Sequence, residues 1–278
     1  MSRLLSANVA RLKKDHCFRG CMVFMAVFGG TMVFFAYYAK CKNGYEVPLE
    51  SLCFDFANVM GILIAAFVSL FQGTEYSDGT IKNKLIVGHR RGEVYFAALL
   101  ANMTAVLCLN LVYVMVVVLC GIPVLGFFQV MDTSALTILA GLTVLMDLAF
   151  TAVFTMFSML NQNKAAVATV SIISAMVLLF ASGYIQSRLE EPRIYEAFQE
   201  VTDKGYVITH EETENPYYLE GSGRMVFSFW KDFLPSGQAL QIEQMQLEHA
   251  GRRAACACVL IALSSGMGFL CFFRKDIR

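Results

Sequence analysis

The stretch FANVMGILIAAFVSLFQGT, residues 56–74, followed by EYSDGTIKNKLIVGHRRG, residues 75–92, decides the fold. The first part carries no charge and is long enough to cross the hydrocarbon core of a bilayer as a helix, which takes roughly 20 apolar residues. The second part is polar and contains two lysines and two arginines. A charge-free span that ends in a basic loop predicts a membrane protein whose loop lies in the cytoplasm.

The composition of the whole chain agrees with this prediction. Of its 278 residues, 57% are hydrophobic and 16% are charged, whereas charged residues make up about 25% of an average soluble domain. The nine cysteines form no CxxC pair, and no cysteine and histidine lie at zinc-finger spacing, so no metal site is expected. We therefore expect an all-α membrane protein.

Charge-poor runs of span length occur six times along the chain. We predict transmembrane helices at about 20–39, 54–74, 94–120, 134–160, 165–185 and 253–273. The run after Glu93 is long enough for two crossings, but Gly121, Pro123 and Gly126 favour a helix end and a turn after residue 120. One crossing is predicted there.

Lysine and arginine residues determine the predicted orientation. The N-terminal segment 1–18, the loop 75–92, Lys164 and the tail 274–278 are basic, and all of them fall on one side of the membrane when six spans are counted. Both termini are therefore expected in the cytoplasm of a multi-pass protein of the cell (plasma) membrane. The glutamate-rich segment 186–252 is then external.

The N-terminal segment predicts an amphipathic helix. Leu5, Val9 and Leu12 share one face, while the basic residues point elsewhere, so the segment either lies at the inner membrane interface or serves only as a topology signal. No cleavage site for a signal peptide is apparent after it, so the first span is expected to be retained.

The external segment contains further predicted features. Pro192 and Gly205 are expected to begin and end a short amphipathic helix whose face carries Ile194, Phe198 and Val201. The acidic stretch 202–224 is expected to be an external cap or a cargo contact.

Aromatic residues cluster farther along, and Ser236 is predicted to cap a helix after them. Phe229, Trp230 and Phe233 are expected at the outer membrane interface, either covering a pathway or only packing. Cys41 and Cys53 bracket the first external loop, where a disulfide is possible.

The basic loop predicts a short helix. Thr80 is expected to cap it, Ile81 and Leu85 share a face, and Gly88 is placed to end it. A helix of about two turns is not stable alone, so it must dock on something. A tight basic turn without a helix is the alternative.

The run Glu75-Tyr76-x-x-Gly79-Thr80-Ile81-x-x-x-Leu85-x-x-Gly88-x-x-Arg91, directly after the second of six spans, resembles the cytosolic loop of ABC type-2 transporter permeases. In that family this loop contributes a coupling helix that sits in a cleft of a separate ATPase subunit. The resemblance implies that these eight residues couple the chain to the ATPase, that ATP and magnesium are bound by this partner, and that a second permease copy, identical or related, completes the transporter.

No catalytic function is expected in this chain. It has no GxxxxGK[ST] phosphate loop and no nucleophile or metalloprotease motif, so no cofactor and no nucleic-acid partner are expected. The resemblance implies export of an amphipathic or hydrophobic cargo, such as an antimicrobial or toxin-like peptide, with lipid or drug export as alternatives. A secondary transporter and a membrane sensor with an external ligand-binding segment remain as different classes.

A polar stripe is predicted inside the membrane. Thr143, Asp147, Thr151 and Thr155 recur every four residues on the fourth span. An ionised carboxylate exposed to lipid costs roughly 2.5–3.5 kcal/mol, so Asp147 must face protein or water. Asn110 in the third span is its expected partner, in a contact that either fixes helix packing or lines a pathway.

Small residues predict close contacts between helices. Gly29 and Gly30 in the first span, and Ala262 and Gly266 in the last, would each let a neighbouring helix approach.

Overall fold

A computed structural model of the chain describes residues 1–201, 207–210 and 212–275. Its helices are α1 (Ser2–Lys14), α2 (His16–Asn43), α3 (Leu49–Leu52), α4 (Ala57–Ser77), α5 (Thr80–Ile86), α6 (Arg91–Leu125), α7 (Thr133–Leu160), α8 (Lys164–Glu190), α9 (Gly221–Phe233), α10 (Pro235–Glu243) and α11 (Ala250–Arg274). Four short strands, β1 (Ile194–Tyr195), β2 (Phe198–Val201), β3 (Val207–His210) and β4 (Thr213–Glu214), lie between α8 and α9.

Six helical segments of the described chain are long and apolar enough to cross a membrane. They are α2, the α3–α4 unit over Leu49–Ser77, α6, α7, α8 and α11. The chain thus has the architecture of an all-α, multi-pass membrane protein, and the predicted number of span-length apolar helices is confirmed for the described residues. Each helix extends beyond its predicted span because hydropathy marks the hydrocarbon crossing, whereas the helix continues through the polar interfaces.

The third span ends later than its glycine and proline residues predict. Helix α6 continues past Gly121 and Pro123 and ends at Leu125, where Gly126 has a φ of 100°. The predicted helix end after residue 120 is therefore wrong. Gly121 allows α3 to pack closely against α6, because a Cβ at this position would collide with the side chain of Leu49 on α3.

Helix α4 lies at the centre of the bundle and packs against α7, α8, α2 and α10. Its window of span length is 61% buried, the highest value among the six. The side chains of Met60, Ile64, Phe67 and Phe71 are buried along it. A displacement of α4 would therefore disturb the packing of most helices in the bundle.

The segment that was predicted to be external differs in structure from its prediction. Two antiparallel strand pairs, β1 with β4 and β2 with β3, replace the helix expected to begin at Pro192. The segment is rich in β-branched residues between Val201 and Thr209, which favour strands over helix. Gly205 and part of the acidic stretch, residues 202–206 and 211, lie outside the described residues.

Helix α10 inserts between the spans instead of lying on top of them. It starts with Pro235, whose missing N–H costs nothing in a first turn. Ser236 does not cap it; the hydroxyl lies 2.7 Å from Ser182 Oγ and donates to the carbonyl of Leu178 at 2.9 Å. Because Leu178 lies near the middle of α8, α10 reaches deep into the bundle.

The disulfide considered between Cys41 and Cys53 is not formed, since both thiols are free. Cys53 is buried in the hydrophobic core, with 5% of its area exposed, whereas Cys41 is exposed on the last turn of α2. The packing that holds Cys53 in the core separates its side chain from the surface thiol.

Candidate functional site

The candidate site is the end of the bundle that carries α1 and α5, together with the last turns of α4, α7 and α11 and the first turn of α6. We call this the basic end. Two glycines shape α5: Gly79, with a φ of 67°, precedes it, and Gly88, with a φ of 97°, follows it. Thr80 is the first residue of the helix and makes no capping hydrogen bond, so its predicted capping role is wrong. The turn at Gly79 uses a conformation that favours glycine.

The inner face of α5 is formed by Ile81 and Leu85, the two residues that were predicted to share a face. Ile81 is fully buried and Leu85 is partly buried. They belong to a hydrophobic cluster with Leu4 of α1 and with Val94 and Tyr95 of α6. The helix therefore docks on the chain's own α1 and α6.

Glu75 joins three helices through a buried charge cluster. Its Oε1 lies 2.6 Å from Nζ of Lys84 on α5 and also forms an ion pair with Arg11 of α1. Lys84 donates a second hydrogen bond, 2.9 Å long, to Oδ1 of Asn8. Since only 1% of the Glu75 side chain is exposed, this carboxylate positions α5 against α1 and α4.

Sequence analysis did not predict the ion-pair partners of Glu75. Residues 75 and 84 lie on different helices. The buried face of α1 is formed by Leu4, Asn8 and Leu12, and the predicted face contained only the last of these. Asn8 in that row is the available signal, because a buried amide on an apolar face requires a polar partner.

Tyr76 and Arg91 belong to a second cluster that fastens the end of α11. Lys275 donates from Nζ to the hydroxyl of Tyr76 at 3.2 Å and to the carbonyl of Met159 at 3.1 Å. Arg91 donates to the carbonyls of Phe273 at 2.9 Å and Lys275 at 2.5 Å. The ends of α4, α7 and α11 and the start of α6 are thereby joined.

Burial also changes the protonation of this cluster. Removal of the Lys275 amine from water lowers its pKa to about 8. The ammonium lies 4.4 Å from the centre of the Tyr76 ring, which provides a compensating cation–π contact.

The outer side of α5 exposes two apolar residues that sequence analysis missed. Ile86 is 81% exposed and Val87 is 77% exposed, the highest values among the large hydrophobic residues described. Lys82 and Asn83 beside them are also exposed. The available signal is that apolar residues directly after Leu85 cannot share its face on a helix.

Inside the bundle, Asn110 and Asp147, which were predicted to be partners, form a hydrogen bond. Nδ2 of Asn110 lies 2.7 Å from Oδ2 of Asp147, and Asp147 is fully buried. Thr143 and Thr151 are buried too, and each donates to a carbonyl of its own helix, that of Leu139 at 2.8 Å and that of Asp147 at 2.7 Å respectively. The stripe faces protein.

A second set of hydrogen-bonded polar residues lies nearer the basic end, and of its members only Thr155 was predicted. Gln72 of α4 donates to Oδ1 of Asn102 at 3.2 Å, and Asn102 of α6 donates to Thr155 of α7 at 3.0 Å. Three central helices are thus joined by amides that each look, in sequence, like isolated polar residues.

An apolar groove of about 230 Å³ lies between α6, α7 and the turn that joins α3 to α4, beside the Asn110–Asp147 pair. Asn110 and Thr143 line it, together with Leu107 and Leu111, which are 40% and 61% exposed. A polar pair at the edge of a groove is compatible both with helix packing and with a pathway lining.

Helix α9 groups the predicted external aromatics. The rings of Phe229, Trp230 and Phe233 lie 5.6 to 5.9 Å apart by centroid. Phe229 and Trp230 are 46% and 44% exposed. An exposed aromatic face on an amphipathic helix is typical of a membrane interface.

No protein-family profile matches this chain, and no curated protein is significantly similar to it in sequence.

Proposed function

We propose that this chain is the permease subunit of an ATP-driven exporter of the ABC type-2 class, powered by a separate cytosolic ATPase. The observation that carries the proposal is α5: its inner face is fastened to the bundle through Ile81 and Lys84, while Ile86 and Val87 at its tip are exposed. The proposal places the basic end and both termini in the cytoplasm, at the plasma membrane.

The tip of α5 has the chemistry of a protein-docking surface. Ile86 is the last residue of α5 and Val87 follows it, outside the predicted spans, so their exposed surface meets water and not lipid. Exposed apolar surface of this kind marks contacts with another protein. Lys82 beside it adds a charge for the polar rim of such a contact.

The attachment of α5 suits it to transmit movement. A seven-residue helix has little stability of its own, but the Lys84–Glu75 ion pair and buried Ile81 connect it to α4, α1 and α6. A displacement of the tip by nucleotide-driven closure of the ATPase would move α4, the central helix. ATP and magnesium belong to the partner in this proposal.

The cargo proposed is an amphipathic or hydrophobic molecule, with a peptide first and a lipid or drug as alternatives. The groove beside Asn110 is apolar with few polar groups, as a site for such a molecule requires. A second copy of this permease, or a related one, would supply the other half of the pathway.

The proposal is tested by copurification of the tagged chain with candidate ABC ATPases from the same organism. Ile86→Glu and Val87→Glu are expected to reduce the retained ATPase at least tenfold, because a charge in an apolar contact loses its hydration. Tyr45→Glu is the matched control, since Tyr45 is 69% exposed in the loop after α2. An unchanged complex in the α5 variants, or no ATPase with the wild type, would overturn the proposal.

A further inference from the structure

A second surface at the basic end lies where α6 begins and α11 ends. A groove of about 510 Å³ is lined there by Phe96 of α6 and by Phe269 and Phe273 of α11. Gly92 makes this approach possible, because a Cβ at that position would lie 2.8 Å from Cε2 of Phe269. The groove is therefore built by a close crossing of two spans.

The aromatic wall of the groove faces the membrane surroundings. The rings of Phe96 and Phe269 are stacked at 5.7 Å, and those of Phe269 and Phe273 lie 6.1 Å apart. Phe96 is 37% exposed and Phe273 is 59% exposed. Since Phe96 lies six residues after Arg90, the wall descends about 9 Å from the mouth of the groove at 1.5 Å per residue.

The mouth of the groove is basic. Arg90 is exposed and, within residues 1–201, 207–210 and 212–275, has no ion-pair partner. Arg91 donates to the backbone carbonyls of Phe273 and Lys275 and, among the described residues, forms no ion pair. Glu93, the acidic residue of the lining, has Nδ1 of His89 at 3.9 Å. The two arginines leave the mouth with a net positive charge.

We infer that this groove binds a phospholipid with an anionic headgroup from the leaflet at the basic end. The acyl chain would lie along Phe96 and Phe273, and the headgroup phosphate would contact Arg90 and Arg91. Arginine pairs with phosphate through two parallel N–H donors, and basic sites between spans on the cytoplasmic side are suited to anionic headgroups. A zwitterionic lipid has no net negative charge to pair with the two arginines. A free phosphate ester has no acyl chain to pack against the phenylalanine rings.

The inference goes beyond the proposed export function and does not depend on the cargo or on an ATPase. A lipid seated there would contact Arg91, which also holds the end of α11, and would lie beside the loop that leads from α5. Its expected effect is to stabilise the crossing of α6 and α11.

The experiment is native mass spectrometry of the full chain in detergent, with phosphatidylglycerol and phosphatidylcholine of identical acyl chains as probes. A basic residue near an anionic lipid contributes about 1 kcal/mol, or about fivefold in binding. The wild type is expected to retain phosphatidylglycerol at least about fivefold better than phosphatidylcholine, and glycerol 3-phosphate is not expected to compete. Equal retention of the two lipids would overturn the inference, as would displacement by glycerol 3-phosphate.

Variants locate the site. Arg90→Gln is expected to reduce retention of phosphatidylglycerol about fivefold, while Arg90→Lys preserves most of the selectivity. Lys13→Gln is the matched control, because Lys13 is an exposed basic residue of α1 that does not line the groove. Phe273→Ser is expected to weaken both lipids. Retention that is equal in Arg90→Gln and Lys13→Gln would assign the lipid to the general surface and overturn the proposed site.

Discussion

Nζ of Lys84 lies 2.6 Å from Oε1 of Glu75, a carboxylate with 1% of its side chain exposed. This ion pair is the polar connection between the short helix α5 and the central span α4. Its strength comes from burial, because charges that water does not reach attract each other more strongly. The same burial makes each charge costly once its partner is removed.

We expect Glu75→Gln to loosen α5 without unfolding the bundle. The substitution keeps the shape of the side chain but leaves Lys84 and Arg11 with an uncharged partner, and a charged hydrogen bond contributes about 1.5–3 kcal/mol. Thermal unfolding in detergent should report a lower Tm, and hydrogen exchange should accelerate over residues 80–87 with little change in α7.

Asp78→Asn is the control for this prediction. Asp78 lies in the same loop and is exposed, so the loss of its charge should leave both the Tm and the exchange of α5 close to wild type. Equal effects of the two substitutions would show that the loop responds to total charge and not to the buried pair.

The bundle could be predicted from sequence because spans depend on composition over some 20 residues, which a sequence displays directly. The shared face of Ile81 and Leu85 follows from helical periodicity in the same way. The ion pair of Glu75 with Lys84 could not be predicted, because it depends on how α5 folds back against α4. Helix α10 was missed as an inserted element because its serine and glutamines resemble those of an external loop.

The hydrogen bond between Asn110 and Asp147 should be measurable in a double-mutant cycle. Asn110→Ala and Asp147→Ala are each expected to destabilise the protein, and the coupling between them should be about 0.6–1.7 kcal/mol, the range for such bonds between membrane helices. Unfolding in mixed micelles provides the measurement. Additive effects would mean that the two side chains do not stabilise each other.

Asp147→Asn should separate packing from pathway lining. The amide can still accept the hydrogen bond from Asn110, so a side chain that only fixes packing should tolerate the change, with wild-type assembly and transport. Assembly at the wild-type level with transport lost would assign Asp147 to the pathway. Cargo efflux from vesicles, normalised to the amount of assembled protein, gives the readout.

Docking of the Lys275 tail should strengthen at alkaline pH. The pKa of the docked amine is lowered to about 8 by burial, whereas a free lysine titrates near 10.4. Between these pH values the undocked tail binds more protons than the docked tail. Docking therefore becomes more favourable as the pH rises through this window, and its free energy is independent of pH below the window. Because Lys275 is partly exposed, the gain is smaller than the full shift implies.

Titration of ¹³C-methylated lysines by NMR would test this, with the Lys275 signal assigned by Lys275→Arg. Tyr76→Ala removes the ring beside the amine and opens the amine to water. The loss of burial is expected to outweigh the loss of the cation–π contact and to move the pKa of Lys275 back toward that of a free lysine. A Lys275 pKa that is the same in the wild type and in Tyr76→Ala would contradict the docked position of the tail.

Two glycines two residues apart on α11 should respond very differently to alanine. A Cβ at Gly268 would lie 2.7 Å from Cζ of buried Tyr95, whereas a Cβ at Gly266 meets nothing within 4 Å. Gly268→Ala is therefore expected to destabilise the protein by about 1–3 kcal/mol through overpacking, and Gly266→Ala should be neutral or slightly stabilising, because alanine is the better helix former. Tyr95→Phe, which removes the hydroxyl nearest to that Cβ, should recover part of the loss in Gly268→Ala. If both glycines tolerate alanine equally, α11 does not approach α6 at Tyr95.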